Sequence, residues 1–144
     1  MGKQKEPKNK KNYKLEEVLP FIGENKPKRK FDGDLIGVSS LRMLTFKTKG
    51  CTCIQCGIQG KYFRKDWNGN DKPHFNLYAQ NEHGHYILMT KDHIQPKSRG
   101  GKDILDNMQT MCIKCNNKKG AAWDEQVSME QDKGVCFQYP PNCS

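Results

Sequence analysis

Apolar positions along this chain are sparse, and they fall into short groups whose spacing predicts short elements. Residues 1–14, MGKQKEPKNKKNYK, have almost nothing to bury, so they are expected to be disordered on their own. Leu15, Val18 and Leu19 stand at i, i+3 and i+4, which predicts a brief amphipathic helix limited by Pro20. Residues 23–34 have loop composition, with Gly23, Pro27, Gly33 and the basic run Lys28-Arg29-Lys30. Ser39 or Ser40 is placed to cap a helix through Leu41, Met43, Leu44 and Phe46 that ends at Gly50. Lys61–Arg64 predicts a strand and Trp67–Asn70 a loop. Phe75–Ala79 and Tyr86–Thr90 predict the two strands of a hairpin, joined through Gln80–Gly84, where the glycine supplies a positive φ. A loop over 94–106, a short strand near Met108–Met111 and a helix from about Ile113 to Lys119 follow, with Gly120 as C-cap. Beyond Ala121 the chain turns acidic, with Trp123 as a candidate anchor, and its end from Tyr139 to Ser144 reads as extended and loose.

Composition sharpens this pattern. Only 34% of the 144 residues are hydrophobic and the mean hydropathy is −0.95, so one small core is expected, of a kind that usually needs a staple such as a structural metal. The net charge is +9 and the isoelectric point about 9.2. Residues 1–50 carry 13 basic and 6 acidic groups and residues 51–120 carry 11 and 6, whereas 121–144 carry 1 and 4. Basic charge on both the tail and the central part points to a polyanionic partner, nucleic acid first, because clustered lysines release counterions from phosphates. For the tail, a plain solubilising role is the alternative. No stretch approaches the ~18–20 apolar residues of a membrane span, so no membrane partner is expected. No apolar run follows the N-terminal lysines, so no signal peptide is expected and the compartment inferred is the reducing cytoplasm.

There are seven cysteines, and four of them form two Cys-x-x-Cys turns, Cys53/Cys56 and Cys112/Cys115. In a reducing compartment such turns indicate zinc more often than disulfides. Four thiolates suit tetrahedral Zn²⁺ at about 2.3 Å and leave no position open for water, which makes the ion structural. Cys51 adjoins the first pair and could compete, although the two-residue spacer favours Cys53 and Cys56; Cys136 and Cys143 are left as free thiols. Between the turns stands Asp92-His93, followed by Asn107 and by Asn116 directly after Cys115. Asp92 offers a hard oxygen for Mg²⁺ or Mn²⁺, Asn116 offers an amide oxygen for the same ion, and His93 is the residue type that most often serves as a general base. Lys97, Arg99 and Lys102 sit in a glycine-containing loop that could approach phosphates, and Lys118 and Lys119 add charge near the helix end. His74, His83 and His85 lie at the hairpin; Tyr62, Trp67 and Phe75 read as packing residues.

The Asp-His pair, the asparagines 14 and 23 positions after His93, and the two Cys-x-x-Cys turns together resemble the HNH endonuclease family in its zinc-stapled form, over roughly Thr48 to Gly120. The three motif letters fall on His93, Asn107 and Asn116, the last an Asn in place of His, a variant that the family also uses. The resemblance implies an α+β fold: a small ββα-metal domain stapled by a Cys₄ zinc site, with a basic N-terminal extension. On this reading residues 1–35 are a largely disordered extension, 36–122 the nuclease domain and 123–144 a tail. It also implies roles: Asp92 and Asn116 bind the catalytic metal, His93 activates water, and Asn107 braces the loop that orients it. The expected function is metal-dependent hydrolysis of DNA phosphodiesters, leaving a 5′-phosphate and a 3′-hydroxyl. The alternatives are a non-catalytic zinc-stabilised nucleic-acid-binding module and an accessory subunit of a larger DNA-processing assembly.

Overall fold

A computed structural model describes residues 11–67 and 72–120. The expectations for Trp123, for Cys136 and Cys143 and for a tail over 123–144 lie outside the described residues, as do residues 1–10 of the lysine-rich segment. The described elements are β1 (Tyr13–Lys14), α1 (Leu15–Val18), β2 (Lys28–Phe31), β3 (Asp34–Gly37), α2 (Leu41–Lys49), β4 (Gly60–Trp67), β5 (Pro73–Gln80), β6 (Tyr86–His93), β7 (Met108–Cys112) and α3 (Ile113–Lys119). This is a mixed α/β arrangement made mostly of strands, larger than a bare ββα unit. Five antiparallel strands form one sheet in the order β1-β4-β5-β6-β7, and β2-β3 form a separate ribbon. No helix among the described residues is long and apolar enough to cross a membrane.

Alternation explains the core. Along β4, β5 and β6, the buried residues Phe63, Phe75, Leu77, Ala79, Ile87 and Met89 share one face of the sheet. Against it pack Met43 and Phe46 of α2, Ile36 of β3, and Val18 and Ile22. Ser40 caps α2 as anticipated, its Oγ accepting from Met43 N at 3.2 Å. Thr110 Oγ1, donating to Gly50 O at 2.6 Å, and Lys49 Nζ, donating to Met108 O at 2.9 Å, tie the end of α2 to β7.

The N-terminal region departs most from expectation. The sequence predicts a largely disordered extension over 1–35 and a loop over 23–34. In the described part of that segment, Tyr13, Val18, Ile22 and Phe31 are buried in the same core cluster as β4–β7, and β2 and β3 form a hairpin. The reason is local. Asp32 and Gly33 both take positive φ, 52° and 88°, the geometry of a two-residue hairpin turn, which an Asp-Gly pair adopts readily. Tyr13 inserts edge-on between Phe31 and Phe75, and its hydroxyl donates to Asp32, fixing the hairpin against β1. The short helix predicted from Leu15 is there as α1, and Pro20 converts its continuation to a 3₁₀ turn over Leu19–Phe21.

Candidate active site

The strand order brings two sites together at one end of the sheet. The first is the cysteine cluster. Cys53, Cys56, Cys112 and Cys115 converge until their four sulfurs lie within 4.8 Å of one another, close to the roughly 3.8 Å edge of a tetrahedron with 2.3 Å Zn–S bonds. Each turn is wound around its first sulfur. Gln55 N and Cys56 N donate to Cys53 Sγ at 3.3 and 3.4 Å, and Cys115 N donates to Cys112 Sγ at 3.4 Å, so Cys112 is also the N-cap of α3. Ile54 N, donating to Thr110 O at 2.9 Å, joins the first turn to β7. Burial pushes the Cys56 and Cys115 thiols up, whereas Cys53 is held below the usual thiol range because donated N–H groups outweigh its burial. This donor set fits a structural zinc. Cys51 stands apart: its Sγ faces Phe46 O at 3.7 Å, and burial alone pushes its thiol up to about 11.

The second site begins where β6 ends, three residues along that strand from Met89, the partner of Cys112. Asp92, His93, Lys97, Asn116 and Lys119 help line one cavity of about 310 Å³. Asp92 is 6% exposed. Its Oδ2 accepts from Gln109 Nε2 of β7 at 2.8 Å and from Lys119 Nζ of α3 at 2.7 Å, and the same ammonium donates to His93 O at 2.7 Å. Lys119 is therefore turned inward, unlike the exposed Lys118, and its contact is with a carboxylate rather than with solvent-side phosphates. Asn116 Nδ2 donates to Thr90 Oγ1 at 2.8 Å, which leaves the amide oxygen as the end available to a ligand.

His93 Nε2 meets Asp103 Oδ1 at 2.6 Å. That ring contact, and then Lys97 at 3.3 Å, hold the Asp103 carboxyl below its usual range. Asp103 is a site residue that sequence reading misses; ten residues separate it from His93, and only the loop's fold joins them. That fold rests on Asn107. Its Oδ1 accepts from Gln95 N at 2.9 Å, and its Nδ2 donates to Gln95 O at 3.1 Å and Lys102 O at 3.0 Å. One amide thus pins both ends of the loop.

The loop itself is a 3₁₀ turn over Lys97–Arg99 followed by the two glycines. A Cβ at Gly101 would stand 1.7 Å from Gln95 O, so glycine is obligatory there for an internal backbone contact, not for approach to phosphate. Lys97, Arg99 and Lys102 are exposed around the loop, while His83 and His85 are exposed at the remote hairpin turn.

Residues 84–132 match the sequence profile of the HNH endonuclease family, and the match begins before β6, spans the loop, β7 and α3, and includes Asp92, His93, Asn107, Cys112, Cys115 and Asn116. No curated protein and no solved structure matches the chain. The match points to a nuclease-type or nucleic-acid-related function with divalent-metal chemistry.

Proposed function

We propose that this chain is a metal-dependent DNA endonuclease with a ββα-metal active site formed by β6, β7 and α3, and that it works in a reducing compartment such as the cytoplasm. The observation that carries the reading is the convergence of Asp92, His93 and Asn116 on one cavity, with the His93 loop pinned by Asn107. Asp92 and Asn116 would hold Mg²⁺ or Mn²⁺ through a carboxylate and an amide oxygen, a small hard donor set that leaves most of the ion's positions to phosphate and water. When bound, the ion polarises the phosphate and stabilises charge on the leaving oxygen.

The remaining work falls to the chain's own side chains. With Nε2 facing Asp103, Nδ1 is the His93 nitrogen left to take a proton from water, and the Asp103 carboxylate stabilises the imidazolium that results. Lys119 pairs with Asp92 and fixes it, and the cysteine cluster sets the start of α3 and with it Asn116. Lys97, Arg99, Lys102 and Lys118 are placed to meet the phosphates that flank the cut.

The Lys119–Asp92 pair also favours a second reading. A carboxylate already matched by an ammonium is complete without metal, as suits a non-catalytic, zinc-stabilised binding module or an accessory subunit. Incubation of the pure, zinc-loaded chain with supercoiled plasmid, with and without added Mg²⁺ or Mn²⁺, separates the two. Nicking or linearisation that needs the added ion and is lost in His93→Ala supports the nuclease. An inert wild type on duplex and branched DNA leaves the binding module.

A further inference from the structure

The sheet has a second face. On β4, β5 and β6, the residues that alternate with the core residues are Tyr62, Arg64, Asn76, Tyr78, Tyr86 and Leu88. The register aligns one row across four strands: Lys14 opposite Tyr62, Tyr62 opposite Tyr78, and Tyr78 opposite Leu88. Leu88 is followed on the same face of β6 by Thr90, which holds Asn116, and then by Asp92. This face leads along β6 towards the catalytic cavity, with Asn116 of α3 seated over it at Thr90, and Tyr86 lies about 20 Å upstream of Asp92 at ~3.3 Å per residue.

Its chemistry differs from that of the buried face. Tyr86 is 37% exposed, and Tyr62 and Tyr78 stand edge-on to it with centroids 6.5 and 6.0 Å away. Two of the hydroxyls are tethered, Tyr86 accepting from Asn12 Nδ2 at 3.0 Å and Tyr78 donating to Asp66 Oδ2 at 2.7 Å, so the rings are held in advance of any partner. Asp66 also accepts from Asn76 Nδ2 at 2.7 Å. The Arg64 guanidinium lies 4.4 Å over the Tyr86 ring. Asn12 Oδ1 and Arg64 Nε are the buried side-chain polar atoms left without a partner among the described residues, and both belong to this face. A buried donor left unpaired is costly, so Arg64 gains by leaving the ring for an acceptor. The chain enters the sheet at this same edge, through β1, directly after Lys3, Lys5, Lys8, Lys10 and Lys11.

We propose that this open face is a track for one unpaired nucleic-acid strand, running from the catalytic cavity past Leu88 and across Tyr86, Tyr78 and Tyr62 towards Lys14. The proposal rests on the nuclease reading for its direction and adds the form of the substrate: a strand with unpaired bases beside the cut. Unpaired bases offer π-faces to tyrosine and guanidinium planes, whereas the bases of an intact duplex are already stacked on one another. The positive charges of Lys14 and Arg64 match the phosphates between those bases.

The test measures binding, by fluorescence anisotropy, of a labelled unpaired 20-mer and of a blunt duplex to the full, zinc-loaded chain in a His93→Ala background without Mg²⁺. Tyr86→Leu should weaken binding of the unpaired strand roughly 5- to 100-fold, the usual worth of one stacked base. Arg64→Gln should weaken it too and reduce the slope of log K on log salt by about 0.7, while duplex affinity changes far less. Unchanged affinity for the unpaired strand in folded variants, or equal losses on strand and duplex, overturns the proposal. If Tyr86→Leu loses its zinc, the surface changes Arg64→Gln and Lys14→Gln decide by the same criterion. Cleavage is scored separately. Strand binding through this face by an inert wild type rejects the nuclease reading alone; active cleavage of an unpaired substrate with KM untouched by Arg64→Gln rejects the track alone.

Discussion

The cysteine cluster and the Asp92 cavity both lie where β6, β7 and α3 meet, yet their charges are balanced in opposite ways. In the cluster, four sulfurs crowd together, with the Cys56 and Cys115 thiols pushed up by burial. This donor set suggests a structural zinc, an ion that would be part of the fold. In the cavity, the buried carboxylate of Asp92 is matched by the Lys119 ammonium at 2.7 Å and by Gln109 at 2.8 Å. That site is electrostatically closed before any ion arrives. One metal is thus expected to hold the structure, and the other to act on a structure already formed.

The largest effect should come from the cluster. Cys112→Ser removes a zinc ligand and the N-cap of α3 together, and structural zinc in small domains is worth on the order of 10 kcal/mol at neutral pH. Metal analysis should fall from about one zinc per chain to none, and cooperative melting should vanish. A Cys112→Ser protein that melts like the wild type would break the comparison outright.

Next come the reacting groups. His93→Ala leaves Asp92, Lys119 and the zinc in place, so the protein should fold, keep its zinc and bind DNA, while cleavage drops roughly 10²- to 10⁴-fold. Asp92→Asn should abolish cleavage and also destabilise the fold by about 3–5 kcal/mol, because it leaves the Lys119 ammonium buried without its counter-charge. Chemical denaturation of the two variants should separate these effects.

Lys119→Met sharpens the contrast by opening the closed site. It leaves Asp92 as an unmatched buried charge, which Mg²⁺ is then free to balance. The variant should melt lower than the wild type in metal-free buffer, and added Mg²⁺ should raise its melting temperature more than it raises that of the wild type. Equal Mg²⁺ shifts in both proteins would show that Lys119 does not stand in for the ion. The smallest effect is expected from Asn107→Ala, which removes the amide that pins the loop at Gln95 and Lys102. Stability should fall by about 1–3 kcal/mol, and kcat should fall less than in His93→Ala. Circular dichroism and single-turnover cleavage measure both.

What could be read from the sequence tracks the distance over which each feature is encoded. The cysteine turns, Ser40 as a cap, Gly120 as a stop and the hairpin around Gly84 are local signals, and all of them hold. Asn107 pins its loop in the way the family resemblance implied. The region 11–37 is largely hidden because, apart from the short period of Leu15, Val18 and Leu19, its core residues Tyr13, Ile22, Phe31 and Ile36 stand singly among lysines and loops. The Asp32-Gly33 pair was the available cue, since an Asp-Gly between short apolar flanks predicts a hairpin turn. The partners of the site were harder to see. Gln109 and Thr90 reach Asp92 and Asn116 through strand register, Lys119 through the helix turn, and Asp103 through a folded loop, none of which has a sequence signature of its own.

The cysteine cluster joins two turns separated by 55 residues of chain, and Asn116 lies immediately beyond its last ligand. In a growing polypeptide, Cys56 therefore emerges about 3–12 seconds before Cys115 at ordinary elongation rates. Asp92 and His93 are made before that interval ends, while a zinc could be held by at most one complete turn and α3 is unfinished. The proposed active centre is thus dated by synthesis: it closes in the same step that completes the cysteine cluster, so a half-made chain carries Asp92 and His93 without Asn116.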